Sequence, residues 1–245
     1  MTQGALNIAA YRFVVLDGLP HLRQRLFEAA AALGLKGTVL LAEEGINLCL
    51  AGAPAAVDEW LLQLRRDARF ETIEPRRSFS QTQPFQRLKV KIKREIIRMN
   101  QPTLQPAHAR APAVSAATLA RWMAQGRDDA GRPLRLLDAR NAFEVDAGGF
   151  DSALDWRLGK FSDFPAALAA RADELRGCTV VSYCTGGIRC EKAVLALREA
   201  GFAHSFQLDG GILGYFEVTA GTAPGWHGRC VVFDERGMVD ASLAA

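Results

Sequence analysis

Hydrophobic and polar positions follow two rhythms along the chain, and the rhythm changes element by element. Tyr11 to Leu16 is a short apolar run that predicts a strand. Pro20 to Gly34 has helical spacing and ends on a glycine suited to a helix stop. Lys36 to Ala42 and Ile46 to Leu50 are β-rich, and the turn Glu43-Glu44-Gly45 joins them. Ala53 to Asp67 is helical, with Pro54 in its first turn. Phe70 to Glu74 and Arg87 to Ile97 read as strands. The order β-α-β-β-α-β fits a ferredoxin-like (acylphosphatase-like) α+β domain, two helices on one sheet. That fold hosts many functions and selects none.

The stretch from Gln101 to Ala113 holds three prolines and cannot continue a helix or a central strand. It predicts a semi-rigid linker over 101–113 between a first domain, 1–100, and a second, 114–225, with a short extension over 226–245. Beyond the linker, Ser115 is placed to cap a helix over Ala116 to Gln125. Strands are predicted over Leu134 to Asp138, Thr179 to Tyr183 and Ser205 to Leu208. Helices are predicted over Phe164 to Arg176 and Cys190 to Ala200. Such alternation implies a parallel α/β sheet covered on both faces, with its site at the carboxyl ends of the strands.

Composition narrows the class only a little. Of 245 residues, 49% are hydrophobic and 23% charged, enough for a sizeable core without staples. A net charge of +3 is too mild to imply nucleic acid by itself. Five cysteines, an odd number with no C-x-x-C pair, point away from zinc ribbons and towards a reducing compartment with a free thiol. Four histidines without ligand spacing give no metal site. The start of the chain lacks a signal-peptide pattern, and no apolar run reaches membrane length, so a cytoplasmic protein is expected.

The chemistry concentrates where the run Thr-Val-Val-Ser-Tyr183 stops at Cys184-Thr185-Gly186-Gly187-Ile188-Arg189. A cysteine reacts as thiolate and needs positive potential nearby. The following helix turns its unpaired N–H groups towards the loop, the glycines let the backbone curl into an anion cradle, and Arg189 adds charge. Strand, Cys, Gly turn, Arg and helix together resemble the active-site loop of rhodanese-like domains, which makes Cys184 the expected nucleophile. The six-residue loop suits a sulfur-sized adduct better than a phosphoryl group, whose loops on this fold are one residue longer. Cys190 is read as a small packing residue, ahead of its alternative as a thiol that resolves an oxidised Cys184. Cys49, Cys178 and Cys230 are read as core cysteines, and Glu191 and Lys192 as surface charges. Arg140 and Glu144 lie where a neighbouring strand delivers side chains to the same mouth, as a structural pair or as substrate contacts. Asp209-Gly210-Gly211 reads as a tight turn.

In Arg87-Leu-Lys-Val-Lys-Ile-Lys93, Leu88, Val90 and Ile92 face one way, and Arg87, Lys89, Lys91 and Lys93 the other. Arg94 and Arg98 extend this basic stripe. Two readings stand level: a surface for phosphate backbones or an edge strand guarded by lysines. Glu43 and Glu44 read as a hairpin turn rather than an acid–base pair.

Several of these stretches resemble one family, the rhodanese-domain tRNA uridine hydroxylases. They are Cys184-Thr-Gly-Gly-Ile-Arg-Cys-Glu-Lys192, Glu44-Gly-Ile-Asn47, Arg87 to Ile97, Asp138-Ala-Arg-Asn141 with Glu144, and Asp209-Gly-Gly-Ile212. The likeness runs in order from about Tyr11 to Asp234. It implies oxygen-dependent 5-hydroxylation of the wobble uridine, position 34, in tRNA, with Cys184 as the family's active-site cysteine, described as a persulfide intermediate. It also implies molecular oxygen, an unidentified reductant and the anticodon stem-loop as partner. No cofactor motif, membrane partner or protein partner is legible. Family members that carry a cysteine-containing tail differ from this chain, which ends at Ala245 without C-x-x-C. The loop alone equally fits a thiosulfate or persulfide sulfurtransferase, and a binding or redox-sensing module is the non-enzymatic alternative.

Overall fold

The computed structural model describes residues 4–234 and 236–244; Ala245, named above, lies outside them. The chain divides into two compact units, Met1–Arg98 and Met99–Ala245.

The first unit runs β1 (Ala5–Phe13), α1 (Leu19–Ala32), β2 (Lys36–Ala42), β3 (Gly45–Gly52), α2 (Pro54–Arg65), β4 (Arg76–Ser80) and β5 (Leu88–Ile92). Its sheet has the order β4-β1-β3-β2-β5, antiparallel except for the parallel pair β2–β5. The first four strands form the ferredoxin-like arrangement, and the basic strand β5 is an added edge. Alternate residues Leu6 and Ile8, Val39 and Leu41, and Leu48 and Leu50 are buried in one core with Leu22, Leu26, Trp60 and Leu64 from the two helices.

Three boundaries differ from the pattern-based expectation. The first strand begins at Ala5, because Leu6, Ile8 and Ala10 supply the period-two face that the later run Tyr11–Leu16 only ends. Phe70 to Glu74 is not a strand. Asp67 caps a 3-10 turn over Ala68–Phe70 by accepting from the Arg69 N–H (3.2 Å), and Phe70 and Ile73 are buried outside the sheet. The pairing strand is instead Arg76–Ser80, whose polar edge sequence carries little strand signal. The basic strand stops at Ile92, and Ile92 is exposed rather than facing the core with Val90.

The expected hairpin between β2 and β3 is present. Two family-like stretches meet beside it: Glu44 Oε1 accepts from the Ile96 N–H (2.7 Å), and Asn47 Nδ2 donates to the Ile96 carbonyl (3.4 Å). Glu44 therefore anchors the segment after β5.

The second unit contains β6 (Ala113–Val114), α3 (Ala116–Gln125), β7 (Leu134–Asp138), α4 (Ala142–Val145), β8 (Gly148–Phe150), β9 (Leu154–Asp155) and α5 (Phe164–Arg171). It continues with β10 (Thr179–Tyr183), α6 (Ile188–Glu199), β11 (Ser205–Leu208), α7 (Gly211–Val218), β12 (Trp226–Gly228), β13 (Cys230–Val231) and β14 (Met238–Val239). A parallel sheet of order β6-β11-β10-β7-β9 forms its centre. All five residues of β10 are buried, so both faces are covered. Ser115 caps α3 as expected, accepting from the Thr118 N–H (3.1 Å). Helix α5 ends at Arg171 and a 3-10 turn continues to Leu175, dividing the single helix expected there.

The stretch 101–113 is tied to this unit. Leu104 is buried, the Pro112 carbonyl accepts from the Gln207 N–H (2.8 Å), and Ala113 opens β6. The extension after 225 is also structured: β12 pairs with β8, and β13 with β14.

Candidate active site

Cys184 follows directly on β10, at the carboxyl end of the central strand. Its sulfur accepts from the Gly187 N–H at 3.2 Å. Gly187 caps α6 with φ 98°, a left-handed conformation that a side chain resists. Gly186 has no such demand on its backbone. Helix α6 starts at Ile188, so Arg189 lies in its first turn rather than in a loop before it.

The turn Asp209-Gly210-Gly211 is more than a turn. The Ile212 and Leu213 N–H groups, at the start of α7, donate to the carbonyls of Cys184 (2.9 Å) and Thr185 (3.1 Å). A Cβ on Gly211 would stand 2.4 Å from the Cys184 oxygen and 2.8 Å from the Gly187 nitrogen. Only glycine lets α7 come this close to the Cys184 loop.

Two buried ion pairs flank the loop. Arg189 donates twice to Glu144, at 2.6 and 2.7 Å. Glu144 is held in turn by the Asn141 N–H (3.1 Å), at the start of α4. Arg140 pairs with Asp138 at 2.6 Å, not with the Glu144 side chain, and spends its other N–H groups on the carbonyls of Glu144 (3.1 Å) and Gly148 (2.6 Å). The Arg140 guanidinium also lies 5.4 Å from the centre of the Trp226 ring. Arg140 and Glu144 are fully buried, as Cys184 is; Arg140 braces the end of β7 and Glu144 holds Arg189.

Further corrections concern Glu191, Lys192 and the outlying cysteines. Glu191 and Lys192 are buried, not surface charges, and Glu191 accepts from the Ala111 N–H (3.2 Å). Cys49 and Cys178 are half-buried rather than core. Cys230 is buried as expected, but its sulfur lies 4.0 Å from the Thr185 hydroxyl, beside the loop. The Thr185 hydroxyl also has the Val231 carbonyl within reach at 3.3 Å. The two-residue strand β13 carries no sequence signal that would have placed it here.

Electrostatics single out Cys184. Burial opposes its ionisation. The Cys190 thiol, the Arg189 guanidinium and the N–H groups of Arg189 and Gly187 outweigh that opposition and lower its pKa to about 6. At neutral pH the thiolate is therefore the favoured form. Cys190, packed in the first turn of α6, is pushed the other way by burial and by its charged neighbour, and stays protonated. Burial likewise raises Cys230, to about 12. Among the described residues no group of three or more His, Cys, Asp or Glu side chains is arranged to hold a metal ion, and no helix is long and apolar enough to cross a membrane.

In the first unit, Arg87, Lys89, Lys91, Lys93, Arg94 and Arg98 are all exposed, on or beside the edge strand β5.

The fold and loop define a class: an acylphosphatase-like unit ahead of a rhodanese-like one. Residues 5–96 match the UPF0176 acylphosphatase like domain, and residues 115–217 match the Rhodanese-like domain. The chain is 61% identical over 239 residues to a tRNA uridine(34) hydroxylase of Bordetella petrii, covering 98% of this chain and 94% of that protein. It is 56% identical to relatives of the same name from Variovorax paradoxus (99% of this chain, 92% of that one) and Bordetella avium (97% and 98%). The chain belongs to the tRNA uridine(34) hydroxylase family.

Proposed function

We propose that the chain hydroxylates the wobble uridine of tRNA at C5, with Cys184 as its nucleophile. The observation that carries this reading is Cys184, cradled by the Gly187 N–H at the carboxyl end of the central strand, in a chain 51 to 61% identical to tRNA uridine(34) hydroxylases. Uracil is electrophilic at C6. A thiolate bonding there pushes electron density onto C5, the carbon that gains oxygen. The wobble base is single-stranded and can be splayed out of its stack. Cys184 is fully buried at rest, so reaching the base requires the cover over the loop to give way as tRNA docks. Molecular oxygen is the oxidant, and the anticodon stem-loop is the part of the tRNA bound. The exposed stripe Arg87, Lys89, Lys91, Lys93 and Arg94 supports a role in holding its phosphates. No observation favours the sulfurtransferase reading over this one.

The test is the nucleoside content of tRNA from cells whose own copy is replaced by Cys184→Ala. Loss of 5-hydroxyuridine at position 34 is expected. A normal level in that strain sinks the proposal.

A further inference from the structure

Hydroxylating a carbon with dioxygen has an electron requirement that the substrate alone does not meet. Reducing O2 fully takes four electrons, and conversion of C5–H to C5–OH supplies two. Resting on the hydroxylase reading above, we infer that Cys184 and Cys190 act as a dithiol that supplies the other two and closes to a disulfide in each turnover.

The pair is built around one peptide. The Gly187 N–H donates to the Cys184 sulfur (3.2 Å), while the Gly187 carbonyl accepts from the Cys190 N–H (3.0 Å). The left-handed turn at Gly187 folds the chain back after Cys184 and sets Cys190 in the first turn of α6. The Cys190 side chain is one of the groups that favour the Cys184 thiolate, and both side chains are fully buried. The Ser182 hydroxyl, two residues before Cys184 on β10, donates to the Cys190 sulfur at 3.6 Å.

The two sulfurs are in different states, as an attacking and a resolving thiol must be. Cys184 is held as thiolate and Cys190 as thiol. The Cys184 charge is one of the causes that keep Cys190 protonated. Once the Cys184 sulfur is bonded to carbon or oxygen, that charge is gone. Burial still opposes ionisation of Cys190, and the Ser182 hydroxyl and the Arg189 guanidinium favour the thiolate, the form that attacks. Over the whole cycle uracil C5–H, O2, the Cys184 thiolate, the Cys190 thiol and one proton from solvent give C5–OH, water and one disulfide. One oxygen atom goes to C5. The other leaves as water with the Cys190 thiol proton and the solvent proton. The O–O bond breaks and the S–S bond forms. A thiol reductant from outside then resets the pair.

The experiment is a single turnover of the reduced full-length protein with one equivalent of a U34-bearing tRNA transcript, in air and without added thiol. Cleavage after Arg176, Arg189 and Lys192 puts Cys184 on the peptide Gly177 to Arg189, together with Cys178, and the other cysteine on Cys190 to Lys192, so fragment masses of the joined peptides assign the bond to Cys184 or to Cys178. The expected result is a Cys184–Cys190 disulfide in proportion to the 5-hydroxyuridine formed. Titratable thiols should fall from five to three, with no change when tRNA or oxygen is withheld. Cys190→Ser keeps a hydroxyl in place of the thiol donor, so the ultraviolet thiolate absorbance of Cys184 should keep its low-pH midpoint. Its reductant-free yield of 5-hydroxyuridine should nevertheless fall more than about tenfold. Product formed with all thiols intact overturns the inference while leaving the hydroxylase reading standing, and so does an undiminished yield from Cys190→Ser. A wild-type protein that makes no 5-hydroxyuridine overturns both.

Discussion

The two units handle positive charge in opposite ways. In the first, Arg87, Lys89, Lys91, Lys93 and Arg94 stand in solvent along an edge strand. In the second, Arg140, Arg189 and Lys192 are sealed in the interior around the Cys184 loop. Exposed cations need no partner, and their field reaches outward about 10 Å before salt screens it. A guanidinium taken out of water must be matched by a carboxylate or by carbonyls. Asp138, Glu144 and the carbonyls of the β7–β8 region meet that need. The same residue type is therefore suited to recruitment in one unit and to organisation in the other.

Removing charge from each side should break or sharpen this contrast. The largest effect is expected for Arg189→Ala, which strands the buried Glu144 carboxylate. Unfolding free energy should drop by about 3–5 kcal/mol in a denaturant titration. A loss below about 1 kcal/mol would mean that the pair is wet and that the contrast is overstated. Next comes the titration of Cys184. Its lowered pKa favours thiolate, so the ultraviolet thiolate absorbance that Cys184→Ala removes should be full at neutral pH and fall by half near pH 6 as the thiol protonates. A midpoint above 8 would show that Arg189 and the α6 N–H groups do not reach the sulfur. The smallest structural effect is expected for the triple change Lys89→Ser, Lys91→Ser, Lys93→Ser, within about 0.5 kcal/mol of wild-type stability. Its tRNA affinity should nevertheless fall, with the salt slope shallower by about one for each phosphate no longer neutralised. Unchanged affinity and slope would return the stripe to guarding the β5 edge.

Strong local signals are legible in the chain itself. Four of the five residues of Thr179–Tyr183 are β-formers and the run ends at a cysteine, and Ser115 precedes a clean helical period. Cys184 stands out because its strand, Gly turn and helix start are contiguous. What stays hidden depends on partners that no local pattern reveals. Arg140 is visible, but not that Asp138, two residues earlier, claims it. Lys192 and Glu191 look like surface residues on any helical wheel, and their burial comes from tertiary packing. Phe70 and Ile73 share the composition of a strand, yet the cap at Asp67 turns their backbone out of the sheet. Gly211 reads as an ordinary turn residue because the loop it touches is distant along the chain; only its short approach to Cys184 exposes its purpose.

The segment after residue 225 bears on how the protein can be divided. The recognisable rhodanese-like sequence ends at 217. Yet Trp226 lies against Arg140, β12 completes a ladder with β8, and the Val231 carbonyl reaches the Thr185 hydroxyl. Homology and autonomy thus have different borders. A fragment trimmed to the recognisable domain would carry every residue of the Cys184 loop and still lack one wall of its housing. Grafts, tags and chimaeras that mean to keep the loop intact should join the chain no earlier than Val239, where β14 closes on β13.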